Sequence, residues 1–486
     1  MADIISMGFA MMGHDSHLQP KFFYYNISLE QRVPANHILR KIKQRIDFDF
    51  IYAEVKDLYG DNGNVSVPPP VILKMMLLLI LYNVRSEREL METIPLRLDW
   101  LWFLGFDLDS EVPDHSVLSK ARVRWGTKAF KGFFERIVWQ CVEAGLVDGK
   151  RLFVDSSLIE AHASNNSVVD TEDFKRQIEK SYTLLEGRLD ELEGEKPTPA
   201  NSRYISTTDP DASVTRYGGG KSKLRYKTHR GVDPKREVIT ATTVTAGSSD
   251  DGVLLKKVID THECNTQKRI ESVTGDSKYG TIANFLLCYD LGIKGHFPSL
   301  EETHRGSGRQ ERIFPKEAFS YHPENDTFTC PAGQMLRKRH YYEERQHYEY
   351  KASSHICARC QLVERCTRAK YGRTLKRHIR QNELEAMHKE AASEAARQDL
   401  KTRKHLSERS FAQSTRYGYK KARWRRLWRM EIQDFLIAAV QNIQIIIKNT
   451  TTGLAHKATG VIGNLKPTLR GIEIYLSSFP LSEFSL

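Results

Sequence analysis

The most apolar stretch of this 486-residue sequence falls short of the ~20 predominantly apolar residues that a membrane-spanning helix needs. The most apolar segment, "VILKMMLLLILYNV" from Val71, is interrupted by Lys74 and reads as a buried helix entered through "VPPP". The start, "MADIISMGFAMMGHDS", lacks a basic region followed by an apolar run, so no signal peptide is expected. Both observations place the chain in the cytoplasm, with no membrane partner. Cysteine is scarce and odd in number, at seven, which argues against a disulfide framework. There are no internal repeats. Neither glycine nor proline occurs from Asn382 to Tyr417, a run rich in Glu, Ala, Lys and Arg that predicts one long helix.

What is present is the composition of a globular protein, 40% hydrophobic and 28% charged, with length for two to four domains. Lys and Arg number 73 against 61 Asp and Glu, a net charge of +12 that invites a polyanionic partner, most commonly nucleic acid.

Helical spacing dominates residues 1–145, as in "HILRKIKQRIDFDFIYAEVKDLYG" and "FKGFFERIVWQCVEAG". Between such stretches, Asp114 or Ser116 can cap a short basic helix from Val117. This domain could bind DNA or simply pack on its neighbour. From Arg151 the pattern changes to a short strand, "RLFVD", a charged helical excursion over 170–196 and a loop-like stretch rich in Ser, Thr, Pro and Gly. Two strands follow, "KSKLRYKTHRGV" and "REVITATTVTAG", hinged at "DPK". Helix and strand then alternate through "DDGVLLKKVIDTH", "RIESVTGD", "IANFLLCYDLG" and "IKGHF". The order predicts a mixed α/β fold with helices flanking a mixed sheet. A final apolar helix, "EIQDFLIAAVQNIQIIIK", belongs to the core.

Two strands end alike, "LFVD" at Asp155 and "SVTGD" at Asp276. Ligands in open α/β sheets bind at such strand ends. Two carboxylates there repel unless they share a cation, and hard divalent ions prefer oxygen ligands. A lone strand-end Asp is more often a loop or capping residue, and that reading stands beside the catalytic one.

"RLFVDSSLIEAHAS", "VTGDSKYGT" and "VPDHSVLSKARVRWG" together resemble the DDE transposases of bacterial insertion sequences over nearly the whole chain. The resemblance implies an RNase H-like catalytic domain, with Asp155 and Asp276 as the first two acids and Tyr279 and Gly280 completing a D-x-x-Y-G pattern. The third acid implied on a late helix is Glu408, with Glu431 and Glu344 less well placed. The family signature has a basic residue four before that Glu, here Lys404, and a Lys seven after it, where Thr415 stands with Arg416 one step on. On a solvated helix, Lys404 and Glu408 would be an ordinary i,i+4 pair.

Strand alternation puts Lys221, Lys223, Arg225, Lys227 and His229 on one face, to meet phosphates or merely solvent. "RYGYKKARWRRLWR" interleaves Arg416, Lys420, Lys421, Arg423, Arg425 and Arg426 with Tyr and Trp, a mix suited to nucleic acid, although Trp424 and Trp428 could pack into the core. Lys278, beside Asp276, is a further candidate DNA contact. Cys330, Cys357, Cys360 and Cys366, spaced C-x26-C-x2-C-x5-C, could close a structural Zn2+ site or stand as four free thiols.

The resulting expectation is a transposase that cuts transposon ends and joins them to target DNA. Asp155, Asp276 and Glu408 would hold Mg2+ or Mn2+ for two-metal-ion phosphoryl transfer. Double-stranded DNA is the expected partner, and the resemblance implies a homodimer on it. The expected layout is a helical domain (1–145), the first part of the catalytic core (146–300), a cysteine-containing insert (301–381), the core's C-terminal helices (382–450) and a tail (451–486). The alternatives are a metal-dependent nuclease of the same fold and a catalytically inactive, transposon-derived DNA-binding protein.

Overall fold

Ten residues of one strand, β1 (Arg151–Glu160), form the spine on which the rest is built. The computed structural model describes residues 28–59, 66–170, 204–216, 220–298 and 313–449. The expected helix over 170–196, from residue 171 on, and the 451–486 tail lie outside them.

On one side β1 pairs antiparallel with β5 (Lys223–Asp233), which forms a hairpin with β6 (Val238–Ala246). The predicted turn between them has a physical cause. Asp233 accepts the Lys235 amide at 3.0 Å, Pro234 fixes one backbone angle, and Glu237 takes a left-handed φ of 63°. On its other side β1 pairs parallel with β7 (Ser272–Thr274), and β7 pairs parallel with β8 (Lys294–His296). The order is β6-β5-β1-β7-β8, with a short strand β4 (Ser213–Thr215) beside the start of β5. Thus part of the expected loop is ordered: β4, and β3 (Tyr204–Ser206) paired with β2 (Val168–Asp170).

Apolar residues sort to both faces of the sheet. Leu152, Val154 and Val273 bury against helices Leu255–Thr266, Ile282–Leu291 and Gln381–Ala391. On the opposite face Ile159, Tyr226, Val232 and Ile239 share one core with the N-terminal helices and helix Leu427–Asn449. That last helix is long and apolar enough to cross a membrane by composition, but 78% of its apolar window is buried inside the protein. Helix Pro69–Leu81 is apolar on all sides and buried for the same reason.

The predicted basic helix near Val117 and the next helix are both present within Ser116–Glu143, meeting at a kink where Gly126 leaves helical geometry at φ 62°. The long glycine-free run differs from its prediction: it divides into Gln381–Ala391 and Glu394–Thr415. Ser393 turns extended between them and its hydroxyl accepts the Ala396 amide at 3.1 Å, an N-cap that competes with continued helix.

Residues 313–380 form a separate small core. Five antiparallel strands, β9 (Ser320–His322), β10 (Thr327–Thr329), β11 (Met335–Tyr342), β12 (His347–Lys351) and β13 (Thr374–His378), bury Phe319, Phe328, Leu336, Tyr350 and Leu375.

One ion pair ties the layers together. Arg230, on β5, meets Asp434 of helix Leu427–Asn449 at 3.1 Å, each side chain only 1% exposed. Arg230 also donates to the Ser414 hydroxyl at 2.6 Å and lies over the adjoining rings of Phe411 and Tyr419. Burial raises the Asp434 pKa and Arg230 opposes the rise. Breaking a buried pair strands a charge, so Asp434→Ala should cost about 3–5 kcal/mol in urea unfolding, whereas Arg230→Met with Asp434→Leu should cost far less.

Candidate active site

The register of β1 against β7 builds the site. Their ladder ends at Phe153 opposite Thr274, and each chain carries an aspartate two residues further, Asp155 and Asp276. Adjacent strands run ~4.8 Å apart, so the two carboxylates come out side by side. Their mutual repulsion is one of the influences raising the Asp155 pKa, although burial is the largest, and Arg403 opposes both.

Each carboxylate has one oxygen tied down by the backbone. The Ser156 amide donates to Asp155 Oδ1 at 2.8 Å, and the Lys278 amide donates to Asp276 Oδ1 at 3.0 Å. The glycines around Asp276 are there for close approach. A Cβ on Gly275 would meet the Tyr279 ring at 2.8 Å, and one on Gly280 would lie 2.2 Å from the Pro298 carbonyl oxygen. Tyr279 is itself buried and stacks on Phe297.

Helix Glu394–Thr415 crosses this end of the sheet with one face only. Asp399 meets His296 Nδ1 at 2.8 Å and Arg151 at 3.4 Å. One turn on, Arg403 reaches Asp155 Oδ2 at 3.2 Å, and a further turn on, the buried Ser407 lies beside the same carboxylate. Glu408 is the next residue, about 100° around the helix. It is exposed, as is Lys404, and lines an outer groove of about 540 Å3 with Thr402, His405, Arg409 and Ala412. In this arrangement the structure brings Asp155 and Asp276 together, and Glu408 faces outward. Among the described residues no three His, Cys, Asp or Glu side chains are grouped to hold a metal. Glu431 and Glu344 sit elsewhere, on helix Leu427–Asn449 and in the turn between β11 and β12.

A third carboxylate near the pair was missed in the sequence. Asp251, 2% exposed, lies five residues beyond β6, whereas Asp155 sits midway along β1, which runs past the expected strand end to Glu160. It pairs with Lys278 at 2.9 Å and Lys227 at 3.0 Å. The doublet "DD" after "TAGSS" was the available signal, but it reads equally well as a helix start.

The expected basic face of β5 is largely neutralised from within. Its alternation is as predicted, yet Lys223 pairs with Glu160 at 2.8 Å, Arg225 donates to the Thr215 carbonyl at 2.9 Å, and Lys227 is held by Asp251. His229 is fully buried against Thr245 and Asp251, and burial pushes its pKa down to about 4, so its ring cannot meet a phosphate. Lys221 stays exposed.

The "RYGYKKARWRRLWR" stretch is chiefly a clasp. Arg423 donates to Asn83 Oδ1 at 2.6 Å and to the Val84 carbonyl, while Trp424 donates to Glu87 at 3.1 Å. Arg122 pairs with the same Glu87 and lies 4.0 Å over the Trp424 ring. Arg425 donates to the His162 carbonyl at 3.0 Å, and the Arg426 amide donates to Asp209 at 3.0 Å. Ala422 N meets the Glu160 carbonyl at 2.8 Å, which extends the end of β1. Arg416, Lys420 and Lys421 keep exposed side chains.

Cys330, Cys357, Cys360 and Cys366 are all free thiols around one small cavity, about 30 Å3, in the insert. The Gln334 amide donates to Cys330 Sγ at 3.3 Å, and Gly372 leaves room for Cys357, whose Sγ would lie 2.8 Å from a Cβ there. The thiols share the cavity without closing into a ligand cage.

Comparison with known families supplies the context. Residues 27–124 match the model of a transposase domain, DUF772, and residues 329–447 match the model of a transposase DDE domain. A cryo-EM structure of piggyBac transposase in a synaptic complex with hairpin DNA aligns over 85% of this chain and 74% of its own, with 10% identity and a TM-score of 0.34. No curated protein matches the chain.

The raised pKa of Asp155 fixes a sign. The folded state holds that proton more tightly than the unfolded chain, so the stabilising contribution is full at acid pH and is lost as pH rises through the raised value. In metal-free buffer Asp155→Asn should therefore melt a few degrees above wild type near neutral pH, with the gap closing as pH falls below the carboxylate range. A variant that melts lower at neutral pH would mean that Arg403 outweighs burial.

Proposed function

The chain is a DDE-type transposase, carrying both a transposase domain and a DDE domain, and from that premise we propose that Asp155 and Asp276 are the acids at which it cuts transposon ends and joins them to target DNA. One observation carries this reading: the parallel β1–β7 ladder delivers two carboxylates side by side just beyond its last paired residues. The strand order β6-β5-β1-β7-β8, three antiparallel and then two parallel, supports an RNase H-like core.

Two facing carboxylates fit a hard divalent cation, Mg2+ or Mn2+. Bound there, such ions would activate the attacking oxygen and stabilise the leaving one. The chain's own part is positional. The Ser156 and Lys278 amides each fix one carboxylate oxygen; the other oxygen of Asp155 is held by Arg403, which a bound cation would have to displace. Arg403 supplies the positive charge that lets two acids coexist without metal. Glu408, as placed, does not join them; its role as third acid requires helix Glu394–Thr415 to roll toward the pair when DNA is engaged. Lys278, which is 58% exposed, and the exposed Lys221, Arg416, Lys420 and Lys421 are the candidate phosphate contacts. The partner in this reading is double-stranded DNA, engaged by a homodimer, and the insert's four cysteines hold a structural Zn2+.

The test uses end DNA and a target duplex with Mg2+ or Mn2+. Asp155→Ala and Asp276→Ala should each lower cleavage and strand transfer by ~10^2–10^3-fold, the range lost when a principal transition-state stabiliser is removed, while DNA binding in EDTA persists. Glu408→Ala should fall comparably. Cleavage without joining would favour a nuclease, and unchanged DNA binding with no activity in wild type would favour an inactive DNA-binding protein. Purified protein should carry one zinc per chain by elemental analysis, lost in Cys357→Ser/Cys360→Ser; a metal-free wild type rejects the zinc assignment.

A further inference from the structure

On the outer side of the β5–β6 turn lies a cleft of about 910 Å3 whose walls come from four separate parts of the chain. Lys41 enters from the N-terminal helices, Lys235 and Arg236 from the hairpin turn, Arg409 and Arg416 from the end of helix Glu394–Thr415 and its exit, and Lys448 from the last helix. One carboxylate, Glu237, faces these six cations, and it is engaged by Arg409 at 2.7 Å. Among the described residues the other five have no carboxylate partner.

Cations gathered across a concavity repel one another more than on a convex surface, because the low-dielectric walls focus their field. A chain of phosphates relieves that repulsion and releases its own counterions on binding. We infer that this cleft is a binding site for the sugar-phosphate backbone of DNA, separate from the aspartate pair. The inference rests on the transposase reading and adds a location to it. Arg409 lines both this cleft and the groove that holds Glu408, so the two concavities meet at one side chain. A strand running from one to the other follows helix Glu394–Thr415, which also carries Arg403 and Ser407 to Asp155. The cleft offers charge and no set of base-reading groups, so its contribution is affinity and path, not sequence choice.

Equilibrium binding of a DNA duplex in EDTA, titrated with salt from ~50 to ~200 mM, tests the site without requiring catalysis. Each lost phosphate contact flattens the log–log salt dependence by about 0.9. Lys235→Ala/Arg236→Ala/Lys448→Ala should therefore flatten it by about 2 to 3, while Lys235→Arg/Lys448→Arg keeps the wild-type slope. All three side chains are exposed, so the melting temperature should not move; if the triple variant fails to fold, Lys448→Gln alone should flatten the slope by about 1. An unchanged slope overturns the inference, as does weaker binding at constant slope. Failure of wild-type protein to bind DNA at all would instead overturn the function from which the inference starts.

Discussion

Everything at the candidate site follows from a constraint on one strand. β1 is the only strand of its sheet with an antiparallel partner on one edge and a parallel partner on the other. The parallel edge sets Asp155 beside Asp276. The antiparallel edge sets the same residue opposite Arg230, whose side chain is sealed against Asp434 in the layer behind. A one-residue slip of β1 would turn Asp155 to the other face and break both arrangements. The register is protected by the alternation of Leu152 and Val154 toward one core and Ile159 toward the other.

Charge management is the second theme. Positive residues that look free in the sequence are mostly engaged in holding the molecule together. Lys227 and Lys278 neutralise the buried Asp251, Arg403 faces Asp155, and Arg122 and Arg423 clamp the N-terminal helices to the C-terminal segment. Among the described residues, one group of cations without acidic partners gathers around the hairpin turn and the ends of the last two helices. The distribution sets charges that hold the molecule together apart from an exposed set whose interactions depend on salt.

Much of the order of elements was legible. The hairpin at "DPK", the alternation of helix and strand to "IKGHF" and the final core helix follow from periodicity and turn chemistry, because those are local signals. The break at Ser393 was not, since a single capping hydroxyl decides it. The basic, aromatic stretch from Arg416 has the composition of a nucleic-acid surface. Its Arg423 and Trp424 became a clasp because Asn83, Val84 and Glu87, more than 300 positions earlier, offer acceptors within reach.

The amino-acid sequence by itself determined which residues could do chemistry: acids after apolar strands, a D-x-x-Y-G turn and an excess of positive charge. Only the tertiary structure decided which of them meet. Side-chain identity is local, but proximity depends on strand register and on the rotation of a helix about its axis. A step of 100° leaves Ser407 on Asp155 and turns Glu408 to the outside, and no spacing rule within one helix reports which face the rest of the chain will cover.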